Sequence, residues 1–297
     1  MRVFITGATG FIGMAVVAEL VAAGHQALGL CRSDDKASAL AAAGAEVHKG
    51  SLEDIESVKA GAARSDAVIH LAFNHDFSKF AENCEDDRRV ITALGSVIAG
   101  SNRPMIITSG TAMAQAAPGQ LSMEDGPVVN SAVVPRAASE EAANALAKSG
   151  VNVSAMRLPQ VHDTTRAGLV TYYIMTAREK GYLAYIGDGQ NRWPAAHVCD
   201  VARLYRLAIE RAVPGAHYHA VAEEGVSMRA IAETLGVRLG LPVRSITLDE
   251  APAYFGWLAM FAGHDMPASS AWTRQTLDWH PTGPGMIADL ANLQLES

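Results

Sequence analysis

Short, almost unbroken apolar runs alternate along the first half of the chain with longer stretches whose apolar positions recur every three or four residues. The runs Val3–Thr6, His25–Leu30, Ala45–His48, Ala67–Phe73, Pro104–Thr111 and Val151–Met156 read as strands. The stretches Phe11–Ala23, Asp35–Ala43, Phe80–Ala99 and Arg136–Lys148 read as helices, and Gly24, Gly44 and Gly150 stand where such helices stop. Strands that are apolar throughout, rather than alternating, are buried on both faces. Together with the strand–helix alternation this predicts an α/β fold, a parallel sheet covered by helices on both sides. Ala112–Pro135 lacks periodicity and is rich in turn residues, so it reads as a long loop.

Beyond Gly150 the rhythm changes. A helix (Leu169–Glu179), an apolar run at Tyr182–Ile186, a polar loop (Gly187–Trp193), a strand (Ala216–Val221), a helix (Ser227–Leu239) and a strand (Val243–Thr247) follow. The pattern divides the chain into a sheet domain over 1–160, rejoined by 194–222, and a smaller C-terminal lobe from 161–193 and 223–297.

The first strand runs into Gly7, Gly10 and Gly13, spaced every third residue, and a helix follows at once. A strand, a glycine turn and a helix in that order aim free N–H groups and the positive helix end at one point, which suits a nucleotide pyrophosphate. The fold expected is therefore a Rossmann-type doubly wound parallel sheet. Gly7, Thr9, Gly10, Phe11 and Ile12 would cradle the cofactor: Gly7 allows the turn, Gly10 admits the phosphates, and Gly13 lets helix pack on strand. Arg32 and Ser33 end the second strand, where an arginine suits the 2′-phosphate of NADP and an acid would suit NAD. Asp34 and Asp35 lie at a similar distance past the glycines, but first-turn carboxylates of a helix are their simpler reading. NADP is the cofactor expected, ahead of NAD.

Thr6-Gly7-x-x-Gly10-Phe11-Ile12-Gly13 resembles the opening of the extended and atypical short-chain dehydrogenase/reductase families, which include nucleotide-sugar epimerases and dehydratases. The resemblance implies that Leu52, beside Ser51, touches the adenine and that Leu71-Ala72-Phe73 lies against the cofactor ribose. Arg157-Leu-Pro-Gln-Val-His162 resembles the segment under the nicotinamide, where Pro159 and Val161 would meet the flat ring. Thr108 belongs with the cofactor contacts, and Ser109 and Thr111 stand where the family keeps its catalytic hydroxyl. Strand ends in open parallel sheets border the ligand, so these hydroxyls are expected in the cleft. Asp87 falls at an active-site asparagine of extended members. Ala195–Ala202 and Trp272–Pro281 resemble later family segments, with Asp200 structural, and the resemblance implies that the small C-terminal lobe is a substrate lobe.

The family's proton relay is Tyr-x-x-x-Lys, and none of the seven tyrosines has a lysine four residues on. Alignment through Glu140 puts Ala132 at the tyrosine and Arg136 at the lysine. This resembles the atypical subgroup, in which the relay is poorly kept and an aspartate replaces the asparagine. Arg136 could hold the nicotinamide ribose or a substrate anion, but it stays protonated and is a poor base. Two functions follow: an NADP-dependent oxidoreductase acting on a small carbonyl or alcohol, with a proton from water, His162, His75 or Asp87; or an NADP(H)-binding redox sensor that does not turn over, as NmrA-like regulators do. The first is preferred.

Composition adds exclusions. A formal net charge of −7 gives no reason to expect nucleic acid or an anionic membrane as partner. Met1-Arg2 leads straight into the first strand, leaving no room for a signal peptide. Cys31, Cys84 and Cys199 form no motif, so reduced thiols in the cytoplasm are expected. His217 and His219 share a strand face without a third ligand, so no metal is expected. A homodimer through the helices Phe80–Ala99 and Arg136–Lys148 would suit the family resemblance.

Overall fold

The computed structural model describes residues 1–294; the last three positions of the lobe span 223–297 lie outside the described residues. In chain order the sheet domain runs β1 (Arg2–Thr6), α1 (Phe11–Ala22), β2 (Gln26–Cys31), α2 (Asp34–Ala42), β3 (Glu46–Lys49), α3 (Ile55–Ala63), β4 (Ala67–His70), α4 (Phe80–Ile98), β5 (Met105–Gly110), α5 (Ala138–Lys148) and β6 (Val153–Leu158). It continues through β7 (Gln160–His162), α6 (Gly168–Lys180), β8 (Leu183–Ile186), β9 (Arg192–His197), α7 (Val198–Arg211), β10 (His217–His219) and β11 (Glu223–Ser227). The last elements are α8 (Met228–Leu239), β12 (Val243–Ile246), α9 (Ala251–Phe255), α10 (Ala259–Ala262), α11 (Ala271–Leu277) and α12 (Met286–Ala291).

Seven strands form one sheet in the order β10-β6-β5-β4-β1-β2-β3, and every pairing in it is parallel. The order reverses at β1, where a crevice opens beyond the strand ends. The sheet is apolar on both faces because helices cover both: Val3, Ile5, Ile69 and Ile106 pack toward α1 and α7, while Phe4, Val68, Met105 and Ile107 pack toward α3, α4 and α5. This is the Rossmann-type architecture, built as the uninterrupted apolar runs require.

A second apolar core gathers α6, β8, α8, α9 and α12 around Tyr173, Trp193, Leu235 and Phe255. Two small sheets serve this part: β11-β9-β7, and β12 paired in parallel with β8. The chain leaves its expected course in three places. The polar loop 187–193 is shorter than the turn residues suggest, because Arg192 and Trp193 already belong to β9. β4 stops at His70 rather than Phe73, since Leu71 and Ala72 turn aside against the glycine turn. The helix expected from Arg136 begins as a 3₁₀ turn, Pro135–Ala137, ahead of α5. Among the described residues, no helix is long and apolar enough to cross a membrane.

Candidate active site

The glycine turn has the geometry its spacing predicts. Gly7 sits at φ +70°, and a Cβ there would come within 2.8 Å of the Ala72 backbone nitrogen. A Cβ on Gly13 would lie 2.1 Å from the Gly7 carbonyl oxygen, so only glycine lets α1 pack this closely on the turn. The space over Gly10 is more open, with Gly7 O as its one near neighbour at 3.2 Å. Gly10 is the N-cap of α1, no side chain caps the helix, and no acidic residue occupies its first turn. The first-turn N–H groups, including those of Phe11 and Ile12, are thus left for an anion. Thr9 belongs to the same turn.

At the end of β2, Arg32 is exposed and Ser33 is the N-cap of α2, its side chain making no capping bond. Asp34 and Asp35 are the first two residues of α2, and Asp34 pairs with Lys49. Of the two carboxylates that could compete for a ribose, Asp34 is thus engaged elsewhere, while Asp35 makes no ion pair among the described residues. Leu52 is half-buried at the edge of the core beside α3, and Leu71, Ala72 and Phe73 line the exit of β4. The Leu71 amide donates to Thr6 O and the Ala72 amide to Thr6 Oγ1.

A buried polar chain crosses the sheet just below this turn. Thr6 Oγ1 lies 2.7 Å from His70 Nδ1, and His70 Nε2 lies 2.8 Å from Asp87 Oδ1. The other carboxylate oxygen accepts from Arg136 Nη1 at 2.9 Å and from Ser139 Oγ. Arg136 Nη2 donates to Thr108 O at 2.9 Å, and the guanidinium stacks 4.1 Å from the Phe73 ring centroid. Burial works to raise the Asp87 pKa, but the attraction of His70, joined by Arg136 and the Ser139 hydroxyl, outweighs it and holds the carboxyl at about 2. Asp87 is therefore a fixed anion that orients Arg136, enclosed rather than facing a ligand. Arg136 commits three N–H bonds to Asp87, Ser139 and Thr108. The other two of its five donors have no hydrogen-bond partner among the described residues.

The hydroxyls expected in the cleft are mostly withdrawn from it. Strand alternation sends Thr108 toward α7, where its Oγ1 meets Tyr205 Oη at 2.7 Å and donates to His70 O. Ser109 points to the opposite face, beside Glu140, and is 5% exposed; Thr111, in the 3₁₀ turn after β5, is 6% exposed. Pro159 stays half-exposed at the strand end, whereas Val161 is buried in the core against α7. Of the proton sources suggested by sequence, His162 is enclosed at 2.7 Å from Asp289 and Asp87 is spoken for. His75 lies at the exposed lip, T-shaped on Phe73 at 5.4 Å. Partial desolvation of the ring between Phe73 and Phe77, with the Arg136 charge nearby, lowers its pKa.

A second buried network includes His219, one of the two histidines that share a face of β10. Arg157, fully enclosed, grips Glu140 with both ends of its fork at 2.9 and 2.8 Å. Its Nη1 lies 3.2 Å from His219 Nε2, and His219 Nδ1 lies 2.8 Å from Ser269 O. A carbonyl on one nitrogen and a guanidinium on the other fix His219 as the neutral Nδ1–H tautomer; burial, then Arg157, depresses its pKa to about 4. His219 is covered because α11 and the segment before it pack over β10, while His217 approaches Glu140 at 3.5 Å. Asp200 anchors the C-terminal segment by accepting from the Thr282 and Gly283 amides.

His70, Ser139 and Tyr205 complete the Arg136 surroundings without a motif to announce them, whereas Phe73 was expected against the cofactor ribose. Only His70 carried a signal, as the one polar residue in an apolar strand.

The sheet order, the crevice at β1 and the glycine turn define a Rossmann-type α/β protein. The chain belongs to the NAD dependent epimerase/dehydratase family, whose model matches residues 3–222. An uncharacterized protein of Schizosaccharomyces pombe is 45% identical over 293 residues, covering 98% of this chain and 99% of the relative. One from Saccharomyces cerevisiae is 39% identical over 299 residues, covering 99% and 100%. Among solved structures, UDP-glucose-4-epimerase from Stenotrophomonas maltophila with bound NAD and formylated UDP-arabinopyranose superposes at a TM-score of 0.77, with 17% identity over 99% of this chain and 96% of the other.

Proposed function

We propose that the protein is an NADP-dependent oxidoreductase of the atypical short-chain type, reducing a small carbonyl compound in the crevice at β1. The observation that carries the reading is Arg136. It stands where the family pattern has its lysine, is held by Asp87, Ser139 and Thr108 O, and has two donors without a partner among the described residues. A nicotinamide dinucleotide would be received by the first-turn N–H groups of Phe11 and Ile12 for the pyrophosphate, Arg32 and Ser33 for the 2′-phosphate, Ala72 for the ribose and Pro159 for the ring. A structural neighbour with bound NAD supports a nicotinamide cofactor.

When bound, the cofactor supplies hydride to the carbonyl carbon. The chain's own contribution is electrostatic. Arg136, a permanent cation on Phe73, would donate to the carbonyl oxygen and stabilise the negative charge that develops there. Since Arg136 cannot release its proton at neutral pH, the alkoxide is protonated by solvent entering past the exposed His75. The fixed charge of Asp87 holds the guanidinium in place and adds no proton. This arrangement does not suit an epimerase, which needs one group to remove and return a proton. The sensor reading would leave the free donors of Arg136 without a task.

Titration of the purified protein with NADPH and NADH, followed by cofactor fluorescence, tests the cofactor assignment. NADPH should bind about tenfold tighter or more, from the charge-assisted contacts of Arg32 with the 2′-phosphate, and Arg32→Glu should reverse the preference. Equal affinity in wild type and variant would remove Arg32 from the site. Failure to bind either nucleotide would overturn the reading.

A further inference from the structure

Between the Arg136 platform and the C-terminal lobe, aromatic rings succeed one another without a gap. Phe73, under the guanidinium, contacts Phe80 at 6.2 Å and His75 at 5.4 Å, and His75 meets Phe77 at 6.2 Å. Phe77, in the segment ahead of α4, stacks on Trp257 of the lobe with centroids 4.3 Å apart and planes 16° apart. Tyr172 of α6 braces both, at 6.1 Å from Phe77 and 5.3 Å from Trp257. Trp257 is 38% exposed, so this bridge lies at the surface of the molecule and not in its core. The loop after β4 and the lobe thus meet through ring faces.

A sugar nucleotide carries a diphosphate, which a site must meet with uncommitted cations or amides. Arg192 is held by Asp265 at 2.7 Å, Arg229 by Glu233 at 2.7 Å, and Arg238 by Leu293 O at 2.8 Å. Arg274 is spent on the Val221 and Ala222 carbonyls. Four of the seven arginines of the lobe are thus held internally and Arg244 lies over the Tyr182 ring, while Arg166 and Arg178 make no side-chain hydrogen bond or ion pair among the described residues.

We propose that Phe77, Tyr172 and Trp257 are specificity-determining residues and that the substrate is a planar, uncharged aromatic carbonyl compound, a quinone or aryl ketone, rather than a nucleotide sugar. The proposal rests on the reductase reading above. Such a ring stacks on or replaces one face of the Phe77–Trp257 pair, with its carbonyl oxygen directed to Arg136. The reduced nicotinamide gives a hydride, solvent gives one proton, and the quinone leaves as hydroquinone or the ketone as alcohol, with the cofactor oxidised.

Saturable quenching of tryptophan fluorescence by menadione, with and without NADPH, tests this, with UDP-glucose as the alternative ligand. Menadione should bind the wild type, and Trp257→Leu, which keeps an apolar side chain but removes the π-face, should weaken it about tenfold. Steady-state reduction of menadione should show the same change in KM, with NADPH affinity within twofold of wild type. Trp272→Phe, on the far side against Tyr218, should bind menadione as wild type does and shows which tryptophan reports. Phe77→Leu gives a second variant should Trp257→Leu fail to fold. If UDP-glucose binds, or an aliphatic carbonyl is reduced, while menadione neither quenches nor reacts, the substrate class is wrong and the reductase reading survives. If NADPH does not bind, the reductase reading falls and this proposal with it.

Discussion

Arg136→Met should lower kcat/KM for carbonyl reduction by about 10²–10³-fold, the effect of removing one donor that stabilises an oxyanion. The loss should appear in kcat, because the interaction strengthens only as charge builds on the oxygen. Affinity for NADPH should change far less, since the phosphate cradle at Gly10 lies on another element. Asp87 keeps His70 and Ser139 as partners in this variant, so the fold should survive. Arg136→Lys should recover only part of the rate: lysine supplies the charge but cannot span Asp87 and Thr108 O with one planar fork. Single-turnover rates with excess enzyme separate this from a defect in product release. Unchanged kcat in Arg136→Met would assign the chemistry to another group.

The largest expected loss of stability comes from the second network. Arg157→Met should destabilise the protein by about 3–5 kcal/mol, because it leaves the Glu140 carboxylate buried without its bidentate partner. His217, 3.5 Å from Glu140, cannot substitute well, since burial lowers its pKa and favours its neutral form. The double variant Arg157→Met/Glu140→Gln should regain a large part of the loss, because the uncompensated charge is gone. Urea unfolding at neutral pH reads both. A single-variant loss below about 1 kcal/mol would mean that Glu140 reaches water or takes up a proton at little cost.

The two networks show what the sequence could and could not convey. Features set by local geometry were legible. The apolar runs of β1 and β4 announced strands buried on both faces, and the glycine spacing announced the turn, because each glycine is demanded by backbone contacts within a few residues or just across the sheet. The ends of elements were less legible: β4 stops at His70 because Ala72 must pass Gly7, a contact made between two strands. The hydroxyls of β5 were misplaced for a related reason. A strand end borders the crevice, but whether a given side chain enters it depends on the alternation, which here turns Thr108 to Tyr205 and Ser109 to Glu140. Asp87 and Arg136 could each be singled out by alignment to a family pattern. Their union could not, since they are 49 residues apart and bond directly only where α4 and the turn before α5 come together, with Ser139 beside both. His219 looked like surface because nothing near it in sequence records that α11 returns to cover β10.

The aromatic bridge was the least legible feature. Phe77, Tyr172 and Trp257 lie on three separate segments, and aromatic residues in an apolar pattern ordinarily signal core packing. Exposure of Trp257 is what distinguishes a wall from a core, and exposure depends on tertiary placement.

The central claim, that this chain catalyses hydride transfer and does not merely hold a nucleotide, is tested most directly by isotope transfer. The wild-type protein is incubated with NADPH deuterated at both positions of nicotinamide C4 and with acetophenone or isatin, and the product is analysed by mass spectrometry and chiral chromatography. The account predicts an alcohol carrying one deuterium at the carbinol carbon, formed in one enantiomeric excess and lost in Arg136→Met. Bound NADPH that keeps its deuterium over hours, with no labelled alcohol from any carbonyl compound offered, would contradict it and identify the protein as a nucleotide-binding sensor.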